Sequence, residues 1–400
     1  MRVLCSSGAT NDLGLPSRLL PVAAELRARG HEVAFANPAS AATKLIGEAG
    51  FANLPWPVAL DPIGARKMPI PVEFPLVDAE QAMCLIYGDP DYAATEVQNW
   101  RELIRGWRAD VVLDTFGPAG CAAALIERVS LVEVLQADFH PDSTFAWWEP
   151  RRPSPSAVGS FNPLLAAAGV PEVDLVTRLP LAGSSIVAGC PSTDPVSDPG
   201  LAYAGLLGWG DPHDPLPAAI PQPGGRPLVF LYGGNPDYVG GKKSGVVVTA
   251  AVEALGSEDV DVVLAAGNQA YPDELPPNFI ALPYVPGPAL IRRADLMVHH
   301  GGHGSYLMAL AAGKPAVSIP TYAERESNAR RLAGLGAGVC LVPEGDSFTG
   351  QHLDAQLLRD AVQSVLSDPS YGNAARRIQQ ELAALPGAAG VADLVEAAAR

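Results

Sequence analysis

Met297-Val-His-His-Gly-Gly-His-Gly-Ser305 is the stretch on which the fold turns. The apolar run at 294–298 reads as a buried strand, and Tyr306-Leu-Met-Ala-Leu-Ala-Ala312 as a helix closed by Gly313. Strand, glycine turn and helix start form a geometry that receives phosphate. Unpaired N–H groups point outward there, the macrodipole favours anions, and missing Cβ atoms allow close approach. His300, His303 and Ser305 add side-chain donors at the same point. So many polar groups exceed what a plain turn at a sheet edge needs, and the stretch reads as a functional site.

The 400 residues allow two or three domains, each with its own core. An apolar content of 48% is ordinary for a globular chain, while 39 prolines and 40 glycines imply many defined turns. The net charge of −16 argues against nucleic acid or an anionic membrane surface as partner, since both attract basic patches. It leaves room for an anionic ligand held by backbone N–H groups. No uncharged apolar run reaches membrane-spanning length, and the opening Met1-Arg-Val-Leu-Cys-Ser-Ser reads as a strand rather than a signal peptide. Cys5, Cys84, Cys121, Cys190 and Cys340 lie far apart without metal-ligand spacing, so a reduced, cytoplasmic chain is expected.

Upstream, a strand at 2–7, a small-residue loop at 8–14, a helix capped by Ser17 and stopped by Gly30, and a strand at 32–36 make a βαβ unit. Such a unit implies a parallel sheet, with ligands at the carboxyl ends of its strands. A helix at 40–49 and a strand at 51–54 continue the pattern, and regularity then fails between about 56 and 90. A helix at 91–107, a strand at 110–114, a helix at 118–127 and a strand at 131–135 follow. The segment 139–155 carries Phe145, Trp147 and Trp148, which either line an apolar pocket or pack the loop onto its own domain. The pattern restarts at 228–232 and repeats strand and helix to the end of the chain. The expected domains are 1–207 and 226–385, joined by a Pro- and Gly-rich linker at 208–225, with a tail helix at 386–400 packing back on the first. Two facing Rossmann-like α/β domains with a cleft between them are the predicted architecture.

Four motifs of the second half recur in a fixed order: Pro283-Tyr-Val-Pro286, Ala294-Asp-Leu-Met-Val-His-His-Gly-Gly-His-Gly-Ser305, Ala309-Leu-Ala-Ala-Gly-Lys-Pro315 and Pro320-Thr-Tyr-Ala-Glu-Arg-Glu-Ser-Asn-Ala329. Together they resemble the donor-binding region of family 1 glycosyltransferases of GT-B fold, especially bacterial enzymes that glycosylate natural products. Met1-Arg-Val-Leu and Leu26-Arg-Ala-Arg-Gly-His-Glu-Val33 are similar to the family's first βα unit. The resemblance implies an inverting transfer, without a metal or other cofactor, from a UDP- or dTDP-sugar to an apolar or aromatic small-molecule acceptor. By motif position His300 would hydrogen-bond the diphosphate, with Gly301, Gly302, Gly304 and Ser305 supplying donors around it. The loop at Gly233, Gly234 and Asn235 would face it, and Tyr284 and Val285 would frame the base. A homodimer is a further expectation about partners.

Two departures stand out. The family's Asp-Gln or Glu-Gln pair, which contacts sugar hydroxyls, is here Glu324-Arg325. Glu324 still accepts hydrogen bonds, whereas Arg325 only donates. Arg325 therefore either favours a sugar with an acidic or acceptor-rich substituent or turns away as a solvated helix residue. The family's catalytic base falls at Leu15 if the first helix is aligned, or within a residue of Asp12 if the first strand is. Leucine accepts no proton, so Asp12 is the leading candidate base, with Asp114 as its partner and Asp138 as the substitute. An Asp of ordinary pKa (~3.9) would need desolvation to serve toward an alcohol. Rival readings are a nucleotide-sugar 2-epimerase of the same architecture and a non-catalytic partner of a separate transferase. A dinucleotide oxidoreductase fits less well, because neither half opens with Gly-x-Gly-x-x-Gly.

Overall fold

A computed structural model describes residues 1–8, 13–60, 79–143, 156–222, 224–234, 245–267, 271–272, 274–321, 323–346 and 350–400. Asp12, Asn235 and the aromatic residues Phe145, Trp147 and Trp148 lie outside them. Two compact units result, one from Met1–Trp209 with Leu385–Arg400 and the other from Gly210–Ala384.

In the first unit the order is β1 (Arg2–Ser7), α1 (Gly14–Ala28), β2 (Glu32–Ala36), α2 (Ser40–Glu48), β3 (Ala52–Asn53), α3 (Ala79–Tyr87), α4 (Pro90–Trp107), β4 (Val111–Thr115), α5 (Pro118–Glu127), β5 (Ser130–Leu135), α6 (Val158–Ala167), β6 (Ser184–Ala188) and β7 (Ala202–Gly205). The seven strands run parallel in the order β3-β2-β1-β4-β5-β6-β7. The period of two along a strand divides its side chains between two cores. Leu4, Val112 and Leu131 pack with α3, α4, α5 and α6 around Trp100. Val3, Cys5, Val111, Leu113, Val132 and Val134 pack with α1 and α2 on the other face.

Three differences from expectation have local causes. Ser17 is not a cap: α1 begins at Gly14 after Leu13, and the Ser17 hydroxyl donates back to the Gly14 carbonyl (3.0 Å) inside the first turn. The tract from 56 to 90, read as irregular, contains α3, whose Met83, Cys84 and Tyr87 are buried. Helix α6 was not foreseen, because Gly159, Asn162 and Pro163 interrupt its apolar pattern. By contrast α4 announces itself, since Asp89 accepts from the N–H groups of Asp91 and Tyr92 and Pro90 opens the helix.

The second unit follows as β8 (Leu228–Tyr232), α7 (Gly245–Leu255), β9 (Asp261–Ala265), β10 (Phe279–Leu282), α8 (Gly287–Arg293), β11 (Leu296–His299), α9 (His303–Ala311), β12 (Ala316–Ser318), α10 (Ala323–Gly334), β13 (Gly338–Cys340), a hairpin of β14 (Glu344–Asp346) and β15 (Gly350–His352), α11 (Ala355–Ser367) and α12 (Pro369–Ala383). Six parallel strands lie in the order β10-β9-β8-β11-β12-β13. Val229, Leu231, Val262, Leu264, Leu296, Val298 and Val317 make one core with α7 and α11.

The last helix, α13 (Gly387–Ala398), belongs to the first unit. It buries Val391, Ala392 and Val395 in the core that holds α1 and α2. The Ser130 hydroxyl donates to the Ala398 carbonyl (2.6 Å), and Arg29 reaches Asp393 (2.6 Å) and the Ala389 carbonyl (3.1 Å).

Candidate functional site

In each sheet the strand order reverses direction once, between β1 and β4 and between β8 and β11. The carboxyl ends of the strands flanking such a point are where open α/β sheets place ligands. Both points carry the polar residues of their unit.

In the second unit the two flanking strands end level, Tyr232 beside His299. Helix α9 begins four residues after β11, with Gly302 as N-cap and no side chain capping it. The first-turn N–H groups of His303, Gly304 and Ser305 therefore have no intrahelical acceptor. The ring of His300 stands edge-on to Tyr232, centroids 5.4 Å apart, and takes the Tyr232 backbone as a hydrogen-bond partner. Two glycines make room for it. A Cβ on Gly302 would sit 2.5 Å from Nε2, and one on Gly234 would sit 2.8 Å from Cδ2. Gly234 also has φ +93°, a region costly for other residues.

The turn is clamped from α10. Asn328 Nδ2 donates to the Gly301 carbonyl (3.0 Å), and the Gly301 N–H donates to His299 Nδ1 (3.1 Å). Gly301 has φ +86°, and a Cβ there would meet the Arg325 carbonyl at 2.6 Å. Around this end several buried polar atoms have no partner among the described residues: His299 Nε2, His300 Nδ1, the Ser318 and Ser327 hydroxyls and Asn328 Oδ1. Each unsatisfied buried group calls for an explanation, and a ligand is one. Burial pushes the His299 imidazole down to about 3 and that of His300 well below the usual range, so both rings are neutral at pH 7. The nearby Arg325 charge depresses His300 further.

The other expected donor-site residues are close in sequence to this end. Gly233 follows β8 directly. Ser305 is buried, whereas a Cβ on Gly304 would meet nothing within 4 Å. Tyr284 is 78% exposed just after β10 and Val285 beside it is buried, so only the tyrosine offers a face. Glu324 and Arg325 are half-buried in the first turn of α10. Arg325 is not a solvated helix residue, because its guanidinium donates to the Thr321 hydroxyl. His303 is buried next to Tyr306.

In the first unit, Ser6, Asp114 and Glu133 stand opposite one another on three neighbouring strands, on the face covered by α5. The Gly117 N–H donates to Asp114 Oδ2 (2.7 Å) and the Phe116 N–H to Glu133 Oε1 (3.0 Å). Helix α5 lies so close that a Cβ on Gly120 would sit 2.3 Å from the Ser6 hydroxyl. Burial pushes both carboxyls up, Glu133 well above its usual range, and Glu133 donates the retained proton to Asp114. Asp114 is thus half of a buried acid pair with no exposed surface. Cys121 joins them, and among the described residues this is the one group of three such side chains with ligand-type atoms within 4.8 Å of one another. Burial pushes the Cys121 thiol up as well, and a thiol that stays protonated is a poor metal ligand. Proton sharing is the chemistry this cluster supports.

Asp138 lies in the short turn after β5, buried, and accepts from Gln136 Nε2 (3.2 Å). Gln136 in turn accepts from Arg18, which also donates to the Thr115 hydroxyl (3.2 Å). Sequence reasoning missed Glu133 and Arg18. Arg18 carried a signal, since it shares a helical face with Leu15, Leu19 and Val22 and so had to be buried with them.

Two parallel α/β units with a glycine-lined helix start at the second unit's switch point define the class by its architecture, the GT-B fold. The solved glycosyltransferase SsfS6 of Streptomyces sp. SF2575, in complex with thymidine diphosphate, has this fold, with TM-score 0.70, 25% identity and 99% of each chain covered. Residues 249–398 match the family described as "Erythromycin biosynthesis protein CIII-like, C-terminal domain". The elloramycin glycosyltransferase ElmGT of Streptomyces olivaceus is 34% identical over 143 residues, 35% of this chain and 34% of its own. The oleandomycin glycosyltransferase of Streptomyces antibioticus is 35% identical over 139 residues, 34% and 31% of the two chains. The matched stretches thus span about a third of these curated relatives. On fold and motifs together, the chain is similar to glycosyltransferases of GT-B fold, in its second unit above all.

Proposed function

We propose that this chain is an inverting, metal-independent glycosyltransferase acting on a nucleotide-diphosphate sugar and a small natural-product acceptor. The observation that carries the reading is the uncapped start of α9 at the β8/β11 switch point, with the unpartnered His300 Nδ1 beside it. The complex of SsfS6 with thymidine diphosphate supports a thymidine nucleotide as donor, with uridine as the alternative. Helix dipole and N–H donors stabilise a departing diphosphate electrostatically, which is the task a divalent ion performs elsewhere.

In the proposed step the acceptor oxygen forms a bond to the anomeric carbon as the bond from that carbon to the diphosphate oxygen breaks. The electron pair leaves on the diphosphate, and the acceptor's proton passes to Asp12, with Asp138 as the substitute base. Asp114 supports this end of the unit through its pairing with Glu133 rather than by touching substrate.

Thermal-shift titration with dTDP, UDP and GDP, followed by turnover of the matching sugar nucleotides with aglycone acceptors in the presence of EDTA, tests the reading. Stabilisation by one diphosphate and glycoside formation resistant to EDTA are expected, with weaker donor binding in His300→Ala and lost turnover in Asp12→Asn. Epimer formation from the sugar nucleotide without acceptor, or no response to any diphosphate, would sink it.

A further inference from the structure

We propose that Arg325, whose backbone lies against the Gly301 turn, supplies the fixed positive charge of the diphosphate cradle, so that the departing nucleoside diphosphate is met by its guanidinium. The proposal rests on the reading of that cradle as a nucleotide-diphosphate site. A diphosphate gains negative charge when its bond to the sugar breaks, and a full positive charge adds to what the helix dipole and N–H donors supply. Neither His299 nor His300 carries a proton's charge at neutral pH, since both are buried and depressed. Of the described lysines and arginines, Arg325 is the one whose charge bears on His300.

Its placement is built rather than incidental. The Arg325 backbone lies directly under the Gly301 turn, where a Cβ would meet the Arg325 carbonyl at 2.6 Å and its Cβ at 2.9 Å. Asn328, one turn further along α10, holds the Gly301 carbonyl at 3.0 Å. The guanidinium is steadied by its hydrogen bond to the Thr321 hydroxyl just before the helix. A guanidinium stays charged throughout the working range and presents several N–H donors in one plane, which suits a phosphate oxygen. It has no acceptor to offer a sugar hydroxyl.

Calorimetric titration of the full chain with dTDP, UDP and the two nucleosides decides the matter, using the wild type, Arg325→Gln and Arg325→Lys. For whichever diphosphate the wild type binds, Arg325→Gln should weaken binding about tenfold or more and leave nucleoside binding unchanged, while Arg325→Lys recovers part of the loss. The salt dependence of diphosphate binding should also become shallower in Arg325→Gln. Diphosphate affinity within about twofold of wild type in Arg325→Gln, or a lysine variant as weak as the glutamine one, would overturn the assignment. So would a change confined to discrimination between donor sugars. A wild-type chain that binds no nucleoside diphosphate would instead refute the cradle itself.

Discussion

At the scale of single residues, the two units meet acid and base in opposite ways. Asp114 and Glu133 retain a proton in the fold that they give up when unfolded above about pH 4. Their contribution is complete below that value and is lost as pH rises through their elevated folded range. His299 and His300 are depressed, so their contribution is complete above about pH 6.5 and drains away as pH falls toward about 3. Urea denaturation across pH 5 to 9 should show Glu133→Gln losing less stability than wild type as pH rises, with the difference growing by up to about 1.4 kcal/mol per pH unit where one proton is at stake. An identical pH profile in the two proteins would mean the carboxyls are not sharing a proton.

At the scale of elements, the start of α9 separates a glycine that the fold requires from one that leaves open space before the helix N–H groups. Gly301 needs a left-handed φ and faces the Arg325 carbonyl, whereas Gly304 faces open space. Gly301→Ala should cost about 1–3 kcal/mol by chemical denaturation, because neither backbone can yield cheaply. Gly304→Ala should keep the melting temperature within a degree or so, and its methyl should weaken diphosphate binding by obstructing approach to the helix N–H groups. Equal diphosphate affinity in Gly304→Ala and wild type would remove that N–H turn from the ligand's reach.

The same element shows why the strand, turn and helix at 296–311 could be read from the chain and the acid pair of the first unit could not. Its strand, glycine turn, helix and histidines are contiguous, so local pattern carries the whole arrangement from 296 to 311. The strand, set at 294–298, lies at 296–299, and the helix start was set at Tyr306 rather than His303, because glycine lowers helix propensity without preventing an N-terminal turn. Asp114 and Glu133 meet through strand register across β4 and β5, with a helix intervening in the chain, and no spacing rule encodes that. Likewise α3 and α6 form because their apolar residues find a core with α4 and α5, against proline-rich or glycine-bearing local sequence.

At the scale of the whole molecule, the first unit draws on both ends of the chain. Val391 and Val395 fill the core shared with Leu19, Leu26 and Val132, and each such side chain is worth about 1.5–3 kcal/mol when fully buried. The surface pairs of Arg29 with Asp393 and Glu396 add far less. Deleting residues 387–400 should therefore lower the first unit's melting transition by several degrees and leave diphosphate binding to the second intact. Calorimetry with and without dTDP would check both halves, and an unchanged transition would mean that α13 contributes little to the core it occupies.

That last helix also sets an order of events during biosynthesis. Most chains complete their domains from the amino end as they leave the ribosome. Here the piece that closes the first sheet's outer layer is translated after every residue of the second unit. The second unit can reach its final packing while the first still waits with the apolar faces of α1, β5 and β7 uncovered. The nascent chain thus carries uncovered apolar surface in its earlier-made unit until α13 itself has been made.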